Sequence, residues 1–229
     1  MVGEMPSRWR VRKIFKPLVI KMAQGMVKIG MKPNQATMTM LGCSIIALAS
    51  MLLFQGFHIA IRIYGALIFI AGLMDGVDGS IARITGKVTR FGGILDSSVD
   101  RISDAIVFMG PALRDFCHGD FSTGSVLPLP WLYIIPTWIW VAILLIGAYM
   151  TSYTRARAEL AKSGIDMDIG LLGRSERLIL IVIGSMLNML DLFLPIIATC
   201  ALGTALFRLH GAKNNLTCDG MQRQSEMNP

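Results

Sequence analysis

Asp75-Gly-Val-Asp78-Gly79-Ser-Ile-Ala82-Arg83, followed by Gly92-Gly-Ile-Leu-Asp96-Ser-Ser-Val-Asp100, sets four carboxylates inside a strongly apolar stretch of chain. Carboxylates are among the most costly groups to place near a bilayer. On a helix, residues three and four apart share a face. Asp75 and Asp78 are i, i+3, and Asp96 and Asp100 are i, i+4. If the two helices form a hairpin through the loop at 84–91, both pairs face each other at one membrane level. Surface charges at helix ends would have no reason to gather there. Four converging acids need a compensating charge, and a pair of divalent cations is the natural candidate. Hard oxygen ligands of this kind suit Mg2+, with Mn2+ also possible. Two ions on shared carboxylates make a template that orients and polarises a diphosphate.

Outward from this stretch, the chain reads as a polytopic membrane protein. Of its 229 residues, 53% are hydrophobic, and the mean hydropathy is +0.57. Ordinary soluble domains do not have this balance. The net charge of +7 is unevenly placed. Residues 1–33 hold Arg8, Arg10, Arg12, Lys13, Lys16, Lys21, Lys28 and Lys32 against Glu4 alone. They alternate with Trp9, Val11, Ile14, Phe15, Leu18, Val19 and Met22, which suits an amphipathic helix on anionic headgroups rather than a nucleic-acid arm. The first apolar run does not end in a small-residue cleavage site, so no secretory signal is expected. Cys43, Cys117, Cys200 and Cys218 are scattered, with no C-x-x-C pair. Neither a zinc site nor a disulfide framework is expected, and Cys43 and Cys200 read as small core residues.

A helix needs roughly 20 apolar residues to cross ~30 Å of hydrocarbon. Six candidate spans follow: Asn34–Gln55, His58–Ala82, Gly92–Leu113, Trp131–Leu160, Arg174–Asn188 and Leu192–Leu209. The fourth is too long for one span, so its end is expected to project into water. The fifth is short, with Met189 and Leu190 as a possible extension. Gly119, Gly124, Pro128 and Pro130 mark a polar connection, and Pro33 marks a helix start. The tail after Lys213 is polar and expected without structure. The fold class is thus all-α and integral to the membrane: six transmembrane helices with an N-terminal amphipathic interfacial helix. The expected divisions are a basic interfacial segment at 1–33, a six-helix membrane domain at 34–212 and a polar tail at 213–229. Lys and Arg gather in cytoplasmic loops. Arg83, Lys87 and Arg90, then Arg155, Arg157, Lys162, Arg174 and Arg177, then Arg208, Lys213 and Arg223 lie on the same side as the N-terminal segment. The connections around Arg114 and Asp191 lie opposite. Both termini and the acids are therefore expected at the cytoplasmic face. Trp131, Tyr133, Trp138 and Trp140 would form an aromatic belt at the other interface.

The pattern D-x2-D-G-x2-A-R-x8-G-x3-D-x3-D is the signature of the CDP-alcohol phosphotransferases. The chain resembles that family at every fixed position: Asp75, Asp78, Gly79, Ala82, Arg83, Gly92, Asp96 and Asp100. The resemblance implies that Asp75, Asp78, Asp96 and Asp100 hold metal. It implies that Asp100 also accepts the proton of an attacking hydroxyl. Gly79, Ala82, Arg83 and Thr89, with Lys32, Pro33, Asn34 and Gln35, would bind the CDP-linked lipid. The lipid would be CDP-diacylglycerol or CDP-archaeol, CMP would leave, and the enzyme would be a homodimer. Gly72 and Gly76 read equally as room for a ligand or as close helix packing.

The acceptor rests on a second set of residues. Ser152-Tyr-Thr-Arg155-Ala-Arg157-Ala-Glu159 and Gly173-Arg174-Ser-Glu176-Arg177 put four arginines beside the acids, with Arg101 next to Asp100. Singly they read as membrane anchors. Together they read as a pocket for a second phosphate. With Asp100-Arg-Ile-Ser-Asp104, this wording resembles the phosphatidylinositol-phosphate and archaetidylinositol-phosphate synthases within the family. That resemblance implies inositol 1-phosphate as acceptor, with Arg155 and Arg174, then Arg157 and Arg177, on its phosphate. Rival readings are a glycerol-phosphate transferase, a cation transporter and an inactive scaffold. A transporter would need acids spread through the membrane depth, and these lie at one level.

Overall fold

Every described element is an α-helix: α1 (Val11–Lys28), α2 (Pro33–Leu53), α3 (Phe57–Ile84), α4 (Arg90–His118), α5 (Thr137–Ala161), α6 (Arg174–Met186) and α7 (Leu190–Met227). The computed structural model describes residues 11–118, 135–161, 170 and 172–227, and the side chains of 14–118, 135–161, 170 and 172–213. Arg8, Arg10, Gly119, Gly124, Pro128, Pro130, Trp131, Tyr133 and Lys162 lie outside the described residues, as do the side chains of Arg12, Lys13, Cys218 and Arg223.

Local chemistry sets the boundaries. Lys32 is extended and Pro33 takes the first helical position of α2, where its missing N–H costs nothing. The α3–α4 turn passes through Gly86 at φ 67°, in the left-handed region that a glycine enters without strain. Thr89 then caps α4, its Oγ1 accepting from the Gly92 amide at 3.0 Å. Asn188 at φ 55° ends the turn between α6 and α7.

Helices α2, α3 and α5, and α7 over Leu190–Lys213, are long and apolar enough to cross a membrane. Helix α4 has the length, at 29 residues, but carries acids and arginines along it. Helix α6 has only 13 residues, about 20 Å at 1.5 Å per residue. One expectation is corrected. The segment after Lys213 is not without structure, because α7 continues to Met227. Its Leu, Met, Gln, Arg and Glu residues are good helix formers, and the next proline is Pro229.

Two apolar clusters hold the bundle. The larger joins Ala47, Ile61, Tyr64, Phe108, Leu144, Ile181 and Ile197, and so ties α2 through α7 together. The smaller joins Ala23, Met40, Met74, Val77, Ile81 and Val99, packing α1 and α2 onto the ends of α3 and α4 that carry the acids. Helix α1 presents Val19, Met22, Ala23 and Met26 inward, and Lys16, Lys21 and Lys28 are exposed. Phe15 stacks edge-on against Phe69 of α3, with ring centroids 5.6 Å apart. Helices α5 and α7 meet backbone to backbone: a Cβ at Gly147 would lie 2.6 Å from the Leu202 nitrogen. Cys43 and Cys200 are half-buried, and the described cysteines are free.

Pro111 lies inside α4 and cannot donate to the carbonyl of Val107. The hydroxyl of buried Tyr64 on α3 donates to that carbonyl instead, at 2.5 Å. A helical break in an apolar interior is tolerated when a neighbour takes up the freed group, and Tyr64 fills that role.

Candidate active site

The last turns of α3 and the first turns of α4 do form a hairpin, and it brings the acids together. Asp75, Asp96 and Asp100 each offer a carboxylate oxygen, and these oxygens all lie within 4.8 Å of one another. An all-carboxylate donor set fits a hard divalent cation such as Mg2+ or Mn2+. Asp78 stands beside this trio rather than in it. Its Oδ2 accepts from Thr37 Oγ1 on α2 at 2.7 Å, and the Gly79 amide donates to its Oδ1. Asp78 is buried, so both contacts matter for holding a charge there.

The cation closest to the trio belongs to the protein. Arg174, the first residue of α6, places Nη1 at 2.8 Å from Asp75 Oδ1 and 3.0 Å from Asp100 Oδ1. Its Nε bonds Asp104 Oδ1 at 3.0 Å. Gly173 before it leaves room for Glu176, whose Oε2 would lie 2.4 Å from a Cβ at that position. In the R-x-E-R run, then, Glu176 serves the start of α6 while Arg174 serves the acids. Arg177 is buried, donates from Nη1 to the Leu172 carbonyl at 3.3 Å, and has Asp104 and Arg208 among its charged neighbours. Arg155 and Arg157 are exposed on the last turns of α5, and Arg155 pairs with Glu159 at 2.8 Å. Of the four expected acceptor arginines, the structure thus brings Arg174 onto the carboxylates and Arg177 next to it.

The remaining positions flank the hairpin. Arg83 folds back over Gly79: a Cβ there would sit 3.5 Å from its Nη1, and its Nη2 donates to Ser80 Oγ at 3.2 Å. Ala82 is half-buried, and Thr89 caps α4. In the segment before α2, Gln35 Oε1 accepts from the Lys32 amide at 2.8 Å, while Lys32, Asn34 and Gln35 are exposed and Pro33 is half-buried. Gly76 packs against Val19 of α1, within 3.1 Å of where a Cβ would be. Gly72 faces open space instead. It lines a mostly apolar pocket with Phe15, Val19, Phe69, Leu73 and Ile179, and Asp75 borders the same pocket.

The residues 31–207 match the family model for CDP-alcohol phosphatidyltransferase. The chain belongs to the CDP-alcohol phosphatidyltransferase family. It is a transferase of phospholipid synthesis. An archaetidylinositol phosphate synthase of Pyrococcus horikoshii is 34% identical over 208 residues, spanning 90% of this chain and 97% of that protein. A phosphatidylinositol phosphate synthase of Mycobacteroides abscessus is 28% identical over 211 residues, spanning 89% of this chain and 87% of its own. The fold matches a crystal structure of the Mycobacterium tuberculosis phosphatidylinositol phosphate synthase with CDP-DAG bound. The TM-score is 0.65 and the identity 28%, across 86% of this chain and 94% of that one. The same relative has been solved with manganese and citrate, at a TM-score of 0.65, 28% identity and coverage of 85% and 88%.

Three residues have no site role in the sequence pattern above, although Asp104 is quoted in it. Asp104 continues the Asp96, Asp100 spacing by one more turn, and that i, i+4 step was the available signal. Arg208 reads as a loop cation in sequence, yet it is buried and donates to the Thr151 carbonyl at 3.2 Å. A lone arginine inside an apolar run is a costly placement that marks a site. Thr37 had no sequence signal, since its partner Asp78 lies on a different helix.

Proposed function

We infer that the protein transfers a phosphatidyl-type group from a CDP-linked lipid to inositol 1-phosphate and releases CMP. The observation that carries this reading is the convergence of Asp75, Asp96 and Asp100 with Arg174. Carboxylates alone describe a metal site. Carboxylates with a guanidinium reaching in from another helix describe a place where two phosphorylated groups can meet. The relatives named above support inositol phosphate as the acceptor class. CDP-diacylglycerol or CDP-archaeol would be the donor, with its tails in the apolar pocket and its diphosphate at the acids.

Asp75, Asp78, Asp96 and Asp100 would hold two Mg2+ ions, or Mn2+. Bound there, the ions supply charge to a diphosphate and stabilise a departing phosphate. The chain's own residues do the rest. Lys32, Pro33, Asn34, Gln35, Gly79, Ala82, Arg83 and Thr89 bind and orient the CDP moiety. Arg174 and Arg177, with Arg155 and Arg157 from α5, bind the acceptor's phosphate. Asp100 takes the proton from the acceptor hydroxyl. The hydroxyl oxygen then bonds to the β-phosphorus of the CDP-lipid. The bond from that phosphorus to the bridging oxygen breaks, and CMP leaves with the electron pair.

This activity belongs in a cytoplasmic membrane. Helices α2 to α7 would make six spans, with α4 and α6 packed against the more apolar four. Helix α1 would lie on the headgroups through its lysines, both termini and the acids would face the cytoplasm, and two copies would pair. The test is CMP release by purified protein given CDP-lipid and Mg2+ with either inositol 1-phosphate or glycerol 3-phosphate. Turnover with the first supports the reading. Turnover with glycerol 3-phosphate alone would reassign the acceptor, and ion flux without CMP would point to a transporter.

A further inference from the structure

Of the three carboxylates that pair with Arg174, two belong to the metal-competent trio and one does not. Asp75 and Asp100 each offer an oxygen to the trio, and both lie within 3.0 Å of Arg174 Nη1. A guanidinium and a divalent cation repel each other and compete for the same oxygens. These two pairs therefore depend on what else occupies the acids. Asp104 lies outside the trio and bonds a different atom, Nε, at 3.0 Å. It stands one helical turn beyond Asp100 on α4, and its side chain is 9% exposed against 22% for Arg174. The Asp104 pair therefore does not compete with a cation for the oxygens of the trio. We propose that Asp104 is a positioning residue, which tethers Arg174 by Nε and so keeps its Nη edge aimed at the acceptor's phosphate.

This rests on the acceptor reading above. The guanidinium is planar, and fixing one edge fixes the direction of the other. Without the tether, Arg174 keeps its charge and loses its aim, and affinity for the acceptor falls while the donor site is untouched. A carboxylate serving only to balance buried charge would act on both substrates alike.

The experiment uses full-length protein in detergent with CDP-lipid and Mn2+, reading CMP. Asp104→Ala is expected to raise the KM for inositol 1-phosphate roughly tenfold, with the KM for CDP-lipid near wild type. Asp104→Asn keeps an Oδ1 acceptor in place and should recover part of the loss. In Asp104→Ala/Arg174→Ala, the acceptor KM should match that of Arg174→Ala, because a tether has no effect once its load is gone. Mn2+ affinity, titrated without substrates, should stay at the wild-type level in Asp104→Ala. Equal rises in both KM values, a double variant that multiplies the single effects, or lost Mn2+ binding would each overturn the proposal. The wild-type control separates the two readings. If only glycerol 3-phosphate supports turnover, the acceptor identity fails, and the same cycle run with that acceptor decides the role of Asp104.

Discussion

Asp78 and Asp100 are separated by what touches them. Asp78 is held by a hydroxyl and an amide, both of which donate to its carboxylate. Asp100 is held by Arg174, a charged partner from another helix. Under the proposed mechanism, Asp100→Asn should abolish CMP release while CDP-lipid binding persists. An asparagine variant with full turnover would remove Asp100 from the proton transfer. Thr37→Val keeps the shape of the side chain and deletes the donor to Asp78. Groups that orient a metal ligand typically matter tenfold or more, so Mn2+ affinity should fall roughly tenfold in a substrate-free titration. An unchanged affinity would mean that Asp78 needs no such support. At this scale the sequence was most legible where residues lie close along one helix, as within the Asp75, Asp78 pair and the Asp96, Asp100 pair. It was least legible where partners come from different helices, as with Thr37 and Asp78 or Arg174 and Asp104. No local spacing encodes those meetings.

Helix α4 shows how one element can carry both a break and a binding face. Its first turns present Asp96, Asp100 and Asp104, and Pro111 interrupts its later hydrogen bonding. Tyr64 compensates for the proline from α3, the helix that carries the other two acids. Tyr64→Phe would leave the Val107 carbonyl without its donor in an apolar interior. A loss of about 1 kcal/mol is expected, above the average for interhelical bonds in membranes because the carbonyl has no helical partner to return to. Reversible unfolding in mixed micelles would measure it, and a difference near zero would mean that water or another donor serves the carbonyl. Gly147→Leu should do more harm, since the α5 and α7 backbones leave no space there. The limits of these elements were only partly legible. The starts of α2 and α6 follow Pro33 and Gly173, which are local signals. The length of α7 is not legible from polarity, because a polar run with Leu, Met, Gln, Arg and Glu can continue a helix as well as end one.

For the whole molecule, the acids lie where three helix ends meet: α3, α4 and α6. Stripping divalent ions with a chelator should stop CMP release, and Mg2+ or Mn2+ should restore it. Turnover that survives the chelator would end the metal reading. The membrane character was legible from composition alone. The count of spans was not, because α4 is polar along one face and α6 is short, so each depends on its neighbours. The apolar pocket beside Gly72 has a kinetic consequence. Its lining is mostly apolar and Asp75 borders it, so under the proposed function a lipid tail seated there would reach it from within the leaflet. Under that proposal, donor and lipid product would meet the enzyme in two dimensions, while CMP and the polar acceptor would come and go through water. The speed of such a catalyst follows the mole fraction of donor among its neighbouring lipids, and inert lipid slows it at constant bulk concentration.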